Sequence, residues 1–162
     1  MSARRLASFV GACVLAACAW GASAGEMRPF VSGSMQEILA PRQGKAFILG
    51  LWSLNCTHCR EDLALLADLK KQFPSLDLVL IAADSPEEAE AASALLRQYS
   101  LLQAEAWIFA DPFTEKLRFE IDRKWRGELP RTYFYSPGGV KAVSGKLDPR
   151  AAIDWARQYV SR

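Results

Sequence analysis

Apolar residues fall along this chain in two rhythms. Ala46 to Trp52, Leu76 to Ala83 and Ala106 to Phe109 are short continuous runs, the mark of strands buried on both faces. Between them the period lengthens. Leu63, Leu66, Leu69 and Phe73 recur at helical spacing from Cys56 onward, and Pro74 ends that helix. Asp84-Ser85-Pro86 is a helix start, with Glu87, Glu88 and Glu90 near its positive end and Ala89, Ala92, Leu95, Leu96 and Tyr99 as its inner face. Asp111-Pro112 opens a shorter helix carrying Phe113 and Leu117. Arg131 to Tyr135 is a fourth strand, turned at Pro137-Gly138-Gly139 into a hairpin partner over Gly139 to Ser144. Asp148-Pro149 caps a last helix with Ile153, Ala156 and Tyr159 or Val160 on its inner side. Residues 25–45, punctuated by Gly and Pro, read as a loop holding a short strand or a helical turn. The order β-α-β-α-β-α-β-β-α implies an α/β fold. Its sheet is mostly parallel with helices on both faces, and the final hairpin adds an antiparallel edge.

Composition narrows the picture. Hydrophobic residues make up 51% of the 162 positions and charged residues 23%, enough for one packed core and too apolar for disorder. The formal charge of +2 falls to neutral once Arg4 and Arg5 are set aside with the leader described next. No basic face interleaved with aromatics is visible, so nothing points to nucleic acid. Trp52, Trp107, Trp125 and Trp155 read as core or half-buried packing, with a substrate groove near Pro130 as the alternative for Trp125.

The first residues read as a targeting segment. Arg4-Arg5 form its charged end, and Leu6 to Ala19 is apolar but short for a membrane span. Two processing sites compete. Ala22-Ser23-Ala24 fits signal-peptidase cleavage before Gly25, giving a leader over 1–24. Leu15-Ala16-Ala17-Cys18 fits a lipobox, giving a leader over 1–17 and a lipid anchor on Cys18. Both readings imply export to a periplasmic compartment where disulfides persist, and both leave a single domain up to residue 162.

Of four cysteines, Cys13 and Cys18 fall in the leader, so Cys56 and Cys59 are the pair left to the folded part. Cys56-Thr57-His58-Cys59 sits where the first strand gives way to a helix. A thiol at a helix start meets free N–H groups and the positive end of the dipole. Both stabilise the thiolate, the reactive form. Cys56 is thus the candidate attacking thiol, and Cys59, one turn on, the candidate resolving thiol. His58, the only histidine, can stabilise the Cys56 thiolate by charge or hydrogen bond. That favours the dithiol and makes the disulfide more oxidising. Glu61 and Asp62 are candidate proton acceptors for Cys59, or simply acids placed by the dipole. A Cys56/His58/Cys59 copper(I) site is the alternative chemistry, since soft thiolates suit that ion. One histidine and one CxxC cannot build a four-ligand zinc site. Disulfide exchange itself requires no cofactor. Pro130, entering a strand after Leu129, is a candidate cis peptide or an ordinary strand-start proline.

Taken together, LWSLNCTHCRED, the Asp111-Pro112 helix start and GELPRTYFYSPGG resemble the thioredoxin superfamily. The resemblance is closest to exported TlpA-like thiol–disulfide oxidoreductases, a group that includes reductases of cytochrome c maturation. The likeness runs over roughly residues 30–160. It implies a thioredoxin-like fold, a cis Pro130 facing the CxxC, and a backbone at Leu129 that pairs with an extended substrate strand. It also implies protein thiols and disulfides as substrates and a membrane or periplasmic redox partner. Departures from the family are Asn55 for Trp before the first cysteine, His58 for Pro before the second, and Gly50 where thioredoxins proper carry a buried Asp. Asp62 matches in type the TlpA-like acid, usually Glu, and Ala64 replaces a helix-kinking proline. These bear on direction and substrate, not on the thiol chemistry.

Overall fold

The computed structural model describes residues 26–160. Both leader processing sites, Cys13 and Cys18 lie outside the described residues. Six strands form one mixed sheet: β1 (Arg28–Phe30), β2 (Phe47–Trp52), β3 (Leu78–Ala82), β4 (Glu105–Phe109), β5 (Arg131–Ser136) and β6 (Gly139–Ser144), in the order β1-β4-β3-β2-β5-β6. The first four in that order run parallel, and β5 and β6 are antiparallel to their neighbours. The helices are α1 (Ser34–Leu39), α2 (Thr57–Gln72), α3 (Ala89–Gln98), α4 (Thr114–Ile121) and α5 (Pro149–Tyr159).

Every residue of β2 and β3 is buried, as their unbroken apolar runs predict. Alternation divides them between two cores. Ile48, Trp52, Leu78, Leu80, Ala106, Ile108 and Phe134 face α2, α3 and α5. Phe47, Leu49, Leu51, Val79, Ile81, Trp107 and Tyr133 face α1 and α4. Helices therefore cover both faces, in agreement with the strand–helix alternation.

The stretch 25–45 contains both a strand and a helix. Phe30 pairs with Phe109 at the sheet edge, and the two rings stack at 5.6 Å. Arg42 follows α1 in a short 3-10 turn and ties the strand beginnings together. Its guanidinium donates to both Asp77 oxygens at 2.8 and 3.0 Å, to Glu105 at 2.7 Å and to the Ile38 carbonyl at 2.9 Å.

Phe113 precedes α4 rather than lying within it. It sits at the N-cap and is 69% exposed, while Leu117 and Ile121 fill the core. The first turn of α3 is a 3-10 turn over Pro86–Glu88, closed by a reciprocal box in which the Ser85 side chain and Glu88 exchange hydrogen bonds with backbone N–H groups. Three tryptophans, Trp52, Trp107 and Trp125, are buried, and Trp155 is half-buried. Trp125 lines a crevice with Arg118, Phe119 and Arg126 that includes neither Pro130 nor the CxxC; its indole N–H donates to the Glu128 carbonyl at 2.8 Å and its ring joins the core on the α1 and α4 side.

Candidate active site

β2 delivers the chain to one end of the sheet, and α2 carries it away across the face. Cys56 falls at the junction as the N-cap of α2. Its Sγ accepts the Cys59 backbone N–H at 3.2 Å, a first-turn donor shared with the Cys56 carbonyl at 3.2 Å. Cys56 and Cys59 form a disulfide, with their Cα atoms 5.3 Å apart. The two sulfurs differ in access. Cys59 is fully buried against the α2 core, while Cys56 is part-exposed. An incoming reagent can therefore reach only the first of the two.

His58 points to solvent, with a side chain 68% exposed, and its Nδ1 lies 3.2 Å from Glu61 Oε1. Lys146, from the loop joining β6 to α5, pairs with the other Glu61 oxygen. Its hydrogen bond, followed by that of His58, holds the Glu61 carboxyl below the usual carboxylate range. The next residue of that loop, Leu147, donates its N–H to Asp62 Oδ1 at 3.0 Å. Two consecutive loop residues thus grip two consecutive acids of α2.

Asp62 is 4% exposed, and its Oδ2 is buried with no protein partner. It lies one turn beyond Cys59 on the same side of the helix. Burial pushes its carboxyl up from the ordinary aspartate range. The Leu147 N–H opposes that shift and the Glu61 charge adds to it. Gly50 leaves little room for an acid on the strand: a Cβ there would meet Leu80 Cδ2 at 3.1 Å and Leu66 Cδ1 at 3.4 Å, so a larger side chain requires Leu80 to shift.

The Leu129–Pro130 peptide is cis. Arg131 pairs with Leu51, so Pro130 comes level with Trp52 at the end of the sheet where β2 hands over to the CxxC. The Pro130 carbonyl is taken by the Gly145 N–H at 2.9 Å, which leaves Leu129 as the residue preceding the strand with its side chain packed between the two cores. Cys56, His58, Cys59 and Asp62 share one helix start, with Leu129 and Pro130 at the same end of the sheet. What the sequence concealed is the support around them: Asp84, Lys146 and Leu147. Asp84 already had a local explanation as a helix start, and the two loop residues carry no motif.

No family model and no curated protein sequence matches the chain. Solved structures do. A secreted Mycobacterium tuberculosis disulfide oxidoreductase described as homologous to E. coli DsbE superposes with a TM-score of 0.58 at 20% identity, over 74% of this chain and 85% of that one. The chain has a thioredoxin-like fold. A thioredoxin-related protein from Neisseria meningitidis serogroup B matches this fold at TM-score 0.57 and 20% identity, over 72% and 85% of the two chains. A Chlorobium tepidum protein described as a putative thiol:disulfide interchange protein DsbE matches at 0.56 and 18%, over 76% and 85%. At such identities the agreement concerns the thioredoxin-like architecture. The chemistry must be argued from this chain's own residues.

Proposed function

We propose that this thioredoxin-like chain is an exported thiol–disulfide oxidoreductase that exchanges disulfides with protein substrates. The observation that carries the proposal is the asymmetry of the pair: a reachable Cys56 whose sulfur caps a helix, bonded to a sealed Cys59. In the reducing direction, the Cys56 thiolate attacks one sulfur of a substrate disulfide and releases the other as a thiolate. The Cys59 thiolate then attacks Cys56 Sγ, forms the 56–59 disulfide and releases the second substrate thiolate. Two electrons pass to the substrate, and its thiolates take up the two protons lost by the cysteines. The oxidising direction is the reverse. Asp62 accepts the proton of Cys59 in the second step. Its buried carboxyl, with a proton affinity raised by burial, suits transfer from a thiol. His58 stabilises the Cys56 thiolate, and the backbone at Leu129 with Pro130 aligns an extended substrate segment.

Export is supported by the charged and apolar start of the sequence and by the secreted protein among the structural matches. A periplasmic setting, with a lipid anchor on Cys18 if the lipobox is processed, demands a membrane or periplasmic thiol partner to renew the pair. Cytochrome c maturation is one process that uses such chemistry. The copper(I) alternative gains no support. Among the described residues no group of three or more His, Cys, Asp or Glu side chains stands where it could hold a metal.

The test is a redox titration together with trapping. Purified protein should show a reversible Cys56–Cys59 couple, and Cys59→Ser should accumulate mixed disulfides through Cys56. A pair that cannot be reduced and reoxidised reversibly would sink the reading. A midpoint near about −120 mV would mark an oxidant, and one at or below about −270 mV a reductant.

A further inference from the structure

Between the end of β2 and Cys56 lie three residues, Ser53, Leu54 and Asn55, and one side chain from the loop after β3 organises all of them. Pairing of β2 with β3 continues past the strand ends, because the Ala83 N–H donates to the Trp52 carbonyl at 2.9 Å. This brings Asp84 beside the loop. Asp84 Oδ1 accepts the Ser53 hydroxyl at 2.9 Å, and its two oxygens share the Leu54 N–H at 3.2 and 3.1 Å. Ser53 Oγ in turn accepts the Asn55 N–H at 3.3 Å, and the Ser53 carbonyl accepts the Cys56 N–H at 3.2 Å. Asp84 is 7% exposed, so these bonds form largely out of water. An aspartate serving only as a helix-start signal would face its own helix. In the turn that follows, the backbone N–H groups are instead satisfied by Ser85 and Glu88.

We propose that Asp84 is a positioning residue for the thiol chemistry: it holds the 53–55 loop so that Cys56 Sγ stays on the axis of the α2 N–H groups. The inference rests on the exchange activity proposed above. It reaches beyond that proposal by assigning part of Cys56 reactivity to a residue just past the end of β3, 28 positions away in the chain.

Position and charge act in opposite senses here, which makes the idea testable. Removing a negative charge favours a nearby thiolate and would move the Cys56 profile to lower pH. Losing the helix-capping geometry takes N–H donors away from the sulfur and moves the profile to higher pH. Other charged groups around the two residues are Glu88 beside Asp84, Glu87 and Asp111 across the crevice that Asp84 lines, His58, Glu61 and Asp62 on α2, and Lys146 from the β6–α5 loop. All remain in the variants.

The experiment compares full-length wild type, Asp84→Ala, Asp84→Asn and Ser53→Ala in the reduced state. The pH profile of Cys56 alkylation is read by mass spectrometry, alongside disulfide exchange with a protein substrate and the melting temperature. Asp84→Ala is expected to move the profile to higher pH, with alkylation at pH 7 about 3- to 10-fold slower. Asp84→Asn keeps one acceptor oxygen and should lose less, as should Ser53→Ala, which leaves the carboxylate in place. If Asp84→Ala does not fold, the two milder variants decide. Profiles that stay at the wild-type position, or move to lower pH, overturn the positioning role even if melting temperatures fall. Wild type that exchanges no disulfides would instead remove the functional reading on which the inference rests.

Discussion

Replacing Asp62 by Asn probes the buried acid next to Cys59 with least change of shape. Asn can still accept the Leu147 N–H through its oxygen, so the 3.0 Å tie to the β6–α5 loop survives. What disappears is the ability to ionise. In the wild type Oδ2 has no protein partner and the residue is 4% exposed, so the charged form is held in place without full compensation. An uncompensated buried polar group costs about 1–3 kcal/mol. The sign follows from linkage. Burial raises the folded-state pKa above its unfolded value, so the folded state binds the proton more tightly. That contribution is fully present below the unfolded pKa and is lost as pH rises through the higher folded value. Relative to Asp62→Asn, the wild type should therefore be about equal in stability near pH 4 or below and less stable by about 1–3 kcal/mol at pH 8. Urea denaturation of the oxidised proteins from pH 4 to 8 measures the difference without titration of the cysteines. Exchange by the reduced variant should slow by about 10- to 100-fold if Asp62 takes the Cys59 proton. A stability difference flat across pH, or a wild type that gains on the variant as pH rises, would refute the argument that burial governs this carboxyl.

Three further outcomes follow from other contacts. His58→Pro should lower the midpoint potential by about 30 mV or more, because the Cys56 thiolate loses a stabilising neighbour; an unchanged or higher potential in a glutathione titration would deny His58 that part. Gly50→Ala puts a methyl group 3.1 Å from Leu80 Cδ2 and should cost about 1–3 kcal/mol by chemical denaturation; a variant as stable as wild type would show that the two cores yield more freely than their packing implies. Arg42→Ala removes the guanidinium shared by Asp77 and Glu105, while Asp77 keeps water and Glu105 keeps Arg28 and the Trp107 indole, and should cost about 1–3 kcal/mol by chemical denaturation; a variant as stable as wild type would show that these bonds do not hold the strand beginnings together.

The strands and the thiol pair were legible because each is encoded locally. Continuous apolar runs at 47–52 and 78–82 admit burial on both faces and little else, and a cysteine a short turn after such a run, at the start of a helical period, has one electrostatic setting. The helix caps were legible for the same reason: Ser85 with Glu88, and Asp148, whose side chain accepts the Ala151 N–H at 2.7 Å, act within one turn. An apolar residue after Asp-Pro reads as part of the helix, whereas Phe113 is the N-cap of α4 and faces water, a boundary that only the backbone and its packing decide. The three-residue strand at 28–30 was not separable from a turn, since it is a strand only through its pairing with 107–109.

By itself, then, the order of residues determined the alternating layers, the two faces of the sheet and which two cysteines form the disulfide. Interactions spanned by long loops were decided only when the chain closed. The Asp84 carboxylate reaches the loop before Cys56 from 31 residues beyond Ser53, and the Leu147 N–H meets Asp62 across 85. No local period records such meetings. The first arises because parallel pairing lines up the ends of β2 and β3, the second because the β6–α5 loop folds onto α2, and burial favours a partner for polar groups brought together there.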